Sequence, residues 1–192
     1  DWRKKWKQGE LPFLYVQLPG FMDYNYLPSE SNWAMLRESQ VKSLSVPNTA
    51  MAVAIDLGEW NDIHPLNKKD VGERLALLAR KIAYGEDTLT ASGPVPKSAT
   101  LEKDKVTIDF DHTGKGLVSN DGTPLKQFSL SDDGENFYWA TAEIKDNKVI
   151  VSSEMVKDPL IVRYAWADNP DDANLYNRDG LPATPFELKI KK

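Results

Sequence analysis

The sequence predicts two kinds of structure in series: an α/β unit with a parallel sheet, then an all-β unit that reads as an antiparallel β-sandwich. Three observations carry this. Two apolar runs, residues 11–18 and 49–55, lack alternation, as strands covered on both faces do. Helical patterns precede, separate and follow these runs, and helix–strand alternation is the mark of a parallel sheet. Beyond residue 96 the period changes to two and tight-turn residues recur.

In chain order, residues 1–7 read as a short helix. Asp1 stands at its cap, Trp2 and Trp6 share a face at i, i+4 spacing, and Gly9 stops it. A helix this short must dock on something to persist. Residues 11–18 form the first predicted strand, with Gln17 its polar exception. Residues 19–31 are a loop rich in aromatics, Phe21, Tyr24 and Tyr26, which suits either a pocket wall or a cover for the core edge. A helix is predicted over 33–44 and ends at Pro47-Asn48. The second strand covers 49–55. After a polar loop, Asn67 and Asp70 are spaced as a variant capping box, and Val71, Leu75, Leu78 and Ile82 line one helical face up to Gly85.

Residues 88–96 read as a linker, which places a boundary near Ser92 and divides the chain into 1–91 and 92–192. In the second part Val106, Ile108 and Phe110 alternate with polar residues. Asn120-Asp121-Gly122 and Asp132-Asp133-Gly134 are turn signals. Residues 137–144 and 149–153 read as a hairpin, and 160–166 and 186–190 as further strands. The first part contains only two predicted strands, too few for a free-standing sheet. The expectation is therefore that more strands precede Asp1, and that the open sheet is covered by that missing piece or by a second copy of the chain.

The chain has 192 residues and a formal net charge of −5, which argues against a nucleic-acid partner. No apolar run is long enough to cross a bilayer as a helix, so no membrane partner is expected. Cysteine is absent, which excludes disulfides and thiolate metal sites. Neither a cofactor nor a metal is expected, because no second histidine or carboxylate cluster stands near the first histidine. The other histidine, His112, reads as a strand-end residue before a turn.

The stretch with most chemistry is 56–67, Asp-Leu-Gly-Glu-Trp-Asn-Asp-Ile-His-Pro-Leu-Asn, between a strand and a helix. In open α/β sheets ligands bind there, at the carboxyl ends of strands. An acyl-transfer site needs a nucleophile, a base, and a group that fixes the base's tautomer. His64 and Asp62 offer the last two, because imidazole titrates near neutrality and a carboxylate stabilises the imidazolium. Asp56, Glu59 or a backbone carbonyl are alternatives to Asp62, and Trp60 stands beside the site or in the core.

Four segments suggest a family: Leu14-Tyr15-Val16-Gln17-Leu18, Met51 through Asp56, Asp62-Ile63-His64-Pro65 and Arg74-Leu75-Ala76-Leu77. Together with Ser92-Gly93-Pro94, Phe110-Asp111-His112, Arg163 through Pro170, Asn174 through Asn177 and Pro185-Phe186, they resemble the C-terminal part of the sialate O-acetylesterases. These are serine esterases of the SGNH or GDSL type. The resemblance implies a C-terminal piece of a flavodoxin-like α/β/α domain followed by the β-sandwich as an accessory domain. It implies removal of acetyl esters from sialic acid or a related sugar through an acyl-enzyme, with an oxyanion hole holding the developing charge. It suggests a secreted or periplasmic protein. The family's nucleophile block, a Gly-Gln-Ser-Asn-like segment, and the block supplying its oxyanion-hole residues are not in this chain, so the chain alone is expected to be inactive. The histidine block departs from Asp-x-x-His: Asn61 stands three before His64, and Asp62 one position closer. The other class of function is a non-catalytic glycan-binding or scaffold module that uses Tyr138, Trp139 or Trp166.

Overall fold

A computed structural model describes residues 1–192. The first part runs α1 (Trp2–Trp6), β1 (Phe13–Val16), α2 (Asn32–Lys42), β2 (Thr49–Ala52) and α3 (Lys68–Ile82). β1 and β2 pair in parallel, from Phe13 opposite Thr49 to Val16 opposite Ala52. Alternation along β2 sends successive residues to opposite faces. Ala50 and Ala52 meet Leu78 of α3 on one face, and Met51, Val53 and Ile55 meet Val41 and Leu44 on the other, so this strand lies between two helical layers.

β1 departs from expectation. It is not covered on both faces: Phe13 is exposed and Leu14, Tyr15 and Val16 are half-buried. The reason is position. β1 is the edge of a two-stranded sheet, and only β2 pairs with it. Trp2 of α1 stands against Phe13 with ring centroids 5.4 Å apart, and Arg3 donates to the carbonyls of Leu11 and Pro47 at 2.8 and 2.7 Å, contacts that tie this five-residue helix to the rest of the chain.

Both longer helices begin at side-chain caps. Ser31 Oγ accepts from the Ala34 N–H at 2.9 Å. Asn67 Oδ1 accepts from the Asp70 N–H at 3.1 Å while its amide donates to the Asp70 carboxylate at 2.8 Å, the reciprocal cap its spacing predicts.

The second part is a large mixed sheet of β3 (Val95–Glu102), β4 (Lys105–Asp111), β6 (Phe128–Ser131), β7 (Tyr138–Trp139), β8 (Thr141–Lys145), β9 (Lys148–Ser152), β10 (Ile161–Tyr164) and β12 (Phe186–Lys191). Its strand order is β7-β6-β10-β12-β3-β4-β9-β8, and β5 (Leu117–Ser119) pairs separately with β11 (Leu175–Asn177). The two outermost strands, β7 and β8, are consecutive in the chain and separated only by Ala140, so the sheet curls until its edges meet. Inside lies a core of 18 buried residues that includes Val106, Ile108, Phe128, Val149, Val151, Val162, Tyr164 and Phe186. The pairing of Ile190–Lys191 with Ala99–Thr100 is parallel, where the sequence reading has antiparallel strands throughout. The expected 137–144 strand is split at Ala140, and the 145–148 turn has Asp146 and Asn147 both at positive φ, as a tight hairpin requires.

The two parts interlock through polar groups. Arg37 of α2 is fully buried and its guanidinium donates to the carbonyls of Leu18, Pro19, Ala167 and Asp168 at 2.5–3.0 Å. Burial pulls this group down to about 9, with Asp168 opposing the shift, so it remains charged at neutral pH. Gln17, the polar exception in the first apolar run, donates to Thr184 Oγ1 at 3.1 Å.

Candidate active site

The loops that follow β1 and β2 leave the carboxyl ends of two parallel strands and meet each other. The Met22 N–H donates to the Trp60 carbonyl at 2.9 Å. Gly58 lies so close to Gly20 that a Cβ on it would stand 1.9 Å from the Gly20 oxygen, so backbone packs on backbone here and glycine is required.

The base of the second loop is anchored by a buried network. Arg74 of α3 grips the Asp56 carboxylate with two bonds of 2.6 Å and also donates to the Val53 carbonyl at 2.6 Å. Tyr176 Oη, from β11, donates to Asp56 Oδ2 at 2.7 Å. The end of β2, helix α3 and the second part of the chain thus converge on one carboxylate. Burial first, then the charge of Asp56, pushes the Tyr176 phenol well up, so it stays a donor. For Arg74, burial acts downward but the bonds and charge of Asp56 outweigh it, and the net direction is up.

At the tip of the same loop, His64 Nδ1 lies 3.1 Å from Asp62 Oδ1. The same carboxylate oxygen accepts the backbone N–H of His64 at 2.8 Å, which fixes the chain between the two residues. These bonds, the backbone one first, hold the Asp62 carboxyl below its usual range. A proton on Nδ1 directed at Asp62 leaves Nε2 free to accept one. The His64 side chain is 82% exposed and that of Asp62 47%, so the pair stands on an open face.

Of the alternatives to Asp62, Asp56 is committed to Arg74 and Tyr176. Glu59 contributes a backbone carbonyl to the turn through the Asp62 N–H at 3.3 Å. Trp60 is exposed, not a core residue. Of the aromatics proposed for glycan binding, Trp166 is buried while Tyr138 and Trp139 are each about 40% exposed. The sequence reading missed the supporting roles of Arg74 and Tyr176. Arg74 carried a signal: it lies three residues after Val71 and four before Leu78, a charge on the apolar stripe of α3. Tyr176 lies in the Asn174–Asn177 segment of the family resemblance, but nothing in its local pattern pointed to Asp56, because that partner is far away in the chain.

No protein-family model matches the chain. Among curated proteins, the mouse sialate O-acetylesterase is 30% identical to it over 99% of this chain and 39% of its own length. The human sialate O-acetylesterase is 29% identical over 97% of this chain and 40% of its own. The chain is a relative of the sialate O-acetylesterases. It spans about two-fifths of the length of these relatives. The solved structures include a carbohydrate acetylesterase from Xanthomonas citri, 48% identical, with a TM-score of 0.89 over 97% of this chain and 43% of that one. These matches span nearly the whole chain, both parts included.

Proposed function

We propose that the chain is the C-terminal portion of a carbohydrate O-acetylesterase and supplies its general base, His64, with Asp62 orienting the imidazole. We read the first part as the last strands of a flavodoxin-like α/β/α esterase domain and the curled sheet as an accessory β-sandwich, with the boundary near Ser92. The observation that carries the proposal is the Nδ1–carboxylate contact at 3.1 Å on the carboxyl-end face of the parallel strands, with Nε2 left free.

The chemistry runs as follows. A serine hydroxyl from outside this chain attacks the acetyl carbonyl while His64 Nε2 takes its proton. The tetrahedral intermediate collapses, the imidazolium returns the proton to the sugar oxygen, and the acetyl group stays on the serine. Water, activated by the same imidazole, then releases acetate. Asp62 stabilises the imidazolium at the two moments when it exists. An imidazole exposed on an open face has neither nucleophile nor water exclusion beside it, which favours a second surface closing over it. The unpaired edge of β1 is open to further strands from the rest of the same protein, whose carboxyl-end loops would then stand on the same face as His64. Sialic acid is the acetylated sugar named for the curated relatives, and it is the first substrate to test.

The test compares acetate release from 9-O-acetylated sialic acid and from 4-nitrophenyl acetate by the chain alone and by the longer protein that contains it. The proposal expects turnover by the longer protein only, reduced at least tenfold in Asp62→Ala. Equal turnover by the isolated chain, or an unaltered Asp62→Ala enzyme, refutes it.

A further inference from the structure

Away from His64, the loop after β1 faces the curled sheet across a cleft of about 530 Å³, ample for one or two sugar rings. Tyr24 and Tyr26 form one wall, packed edge to face with ring centroids 6.1 Å apart. Trp139 of β7 forms another, and its indole N–H donates to the Tyr26 carbonyl at 2.9 Å, so the loop is tied to the sheet and the cleft is preformed. The apolar Phe128 and Ala140 also line it, and Gln127, Asp171 and Asp172 bring polar groups, with the Gln127 amide bonded to the Asp172 carboxylate. Gln127 is held at a φ of 61°, and its carbonyl accepts the Ala165 N–H at 2.9 Å, which fixes its backbone from behind.

We infer that this cleft is a saccharide-binding subsite for an uncharged pyranose of an oligosaccharide. Three exposed aromatic faces offer flat apolar surface to the C–H face of a sugar ring, and the carboxylates and the amide accept and donate hydrogen bonds at its hydroxyl edge. A wholly apolar ligand would strip water from Asp171 and Asp172 without replacing its bonds. A polyanion is repelled by the same pair. The one cation in the lining, Lys126, is turned toward Asp121, with Nζ 3.4 Å from its carboxylate. The aromatic loop is the one whose Met22 N–H bonds the Trp60 carbonyl, so the loop that walls the cleft also touches the histidine loop. The subsite extends the esterase reading but does not require His64 to be catalytic.

The experiment is calorimetric titration of the 192-residue chain with neutral hexasaccharides (cellohexaose, xylohexaose, maltohexaose and chitohexaose) and with an oligogalacturonate hexamer as the acidic control. The inference expects saturable binding of at least one neutral probe and at least tenfold weaker binding of the acidic one. It expects at least a tenfold loss in Tyr26→Ala, whose side chain is on an exposed loop and whose removal spares the fold, and a similar loss in Trp139→Ala. His64→Ala binds as wild type, so failure of the esterase proposal and failure of the subsite are separable. Absence of saturable binding by every neutral probe overturns the inference. So does wild-type affinity in Tyr26→Ala, or tighter binding of the acidic hexamer.

Discussion

Replacing Asp56 with alanine tests whether the network under the histidine loop holds the two parts of the chain together. The side chains of Arg74 and Asp56 are only 10% and 16% exposed. Without Asp56, the guanidinium keeps a single bond, to the Val53 carbonyl, and loses its directly bonded counter-charge in a largely buried site. Removing one partner of a buried pair costs about 3–5 kcal/mol, because the surviving charge is stranded rather than merely unpaired. For a chain of this length each kcal/mol moves Tm by about 2–4 °C, so the variant should melt about 6–20 °C lower. Tyr176→Phe removes one bond to the same carboxylate and should cost about 1.5–3 kcal/mol. The double variant should show coupling rather than additivity, because both changes act on one oxygen. The exposed pair Arg80–Glu86, with bonds of 2.9 and 2.5 Å, is the control: Glu86→Ala should leave stability unchanged within error despite the short contacts. Urea unfolding followed by tryptophan fluorescence, with m-values compared, gives all four numbers. An Asp56→Ala loss below about 1 kcal/mol, or strict additivity with Tyr176→Phe, refutes the account of the anchor.

Other consequences follow from single positions. Gly58→Ala places a Cβ 1.9 Å from the Gly20 oxygen, so the two loops must part; a cost of about 1–3 kcal/mol is expected in the same urea assay, together with loss of turnover in the longer protein. Arg37→Met leaves carbonyls of Leu18, Pro19, Ala167 and Asp168 without their donor and should destabilise by about 3 kcal/mol or more, read as a shift in Tm. The Asp62 carboxyl is held below its usual value of 3.8, so its contact with His64 supports the loop fully above that pH and is lost as pH falls through the lower, folded value. A carbon-detected NMR titration of the Asp62 carboxyl should give a midpoint below 3.8 that returns toward it in His64→Ala, where the imidazole bond is lost and the backbone bond remains.

Local chemistry made much of the first part legible. The Asn67–Asp70 cap, the stripe of α3 and the apolar run of β2 are all short-range signals; the cap and helix form where expected, and the strand covers the first four residues of the expected 49–55. The second part was less legible because its strands are defined by distant partners. β3 was read partly as linker because Pro96 lies in it. The register of β3 against β4 shifts between Pro96 and Ser98, and β12 pairs only with Ala99 and Thr100, so neither neighbour requires an N–H from the proline. β5 and β11, three residues each, exist only because they pair with each other across more than fifty positions of sequence. At the candidate site, the proximity of Asp62 to His64 could be read from spacing. The commitment of Asp56 to Arg74 and Tyr176 could not, since Tyr176 lies 120 residues away in the chain.

The most direct measurement of the central claim is the rate of acetyl-ester hydrolysis by the longer protein with and without His64→Ala, at equal folded concentration. If His64 carries the proton, kcat falls by about three orders of magnitude or more while KM changes little. A variant that retains the wild-type kcat shows that the base lies elsewhere.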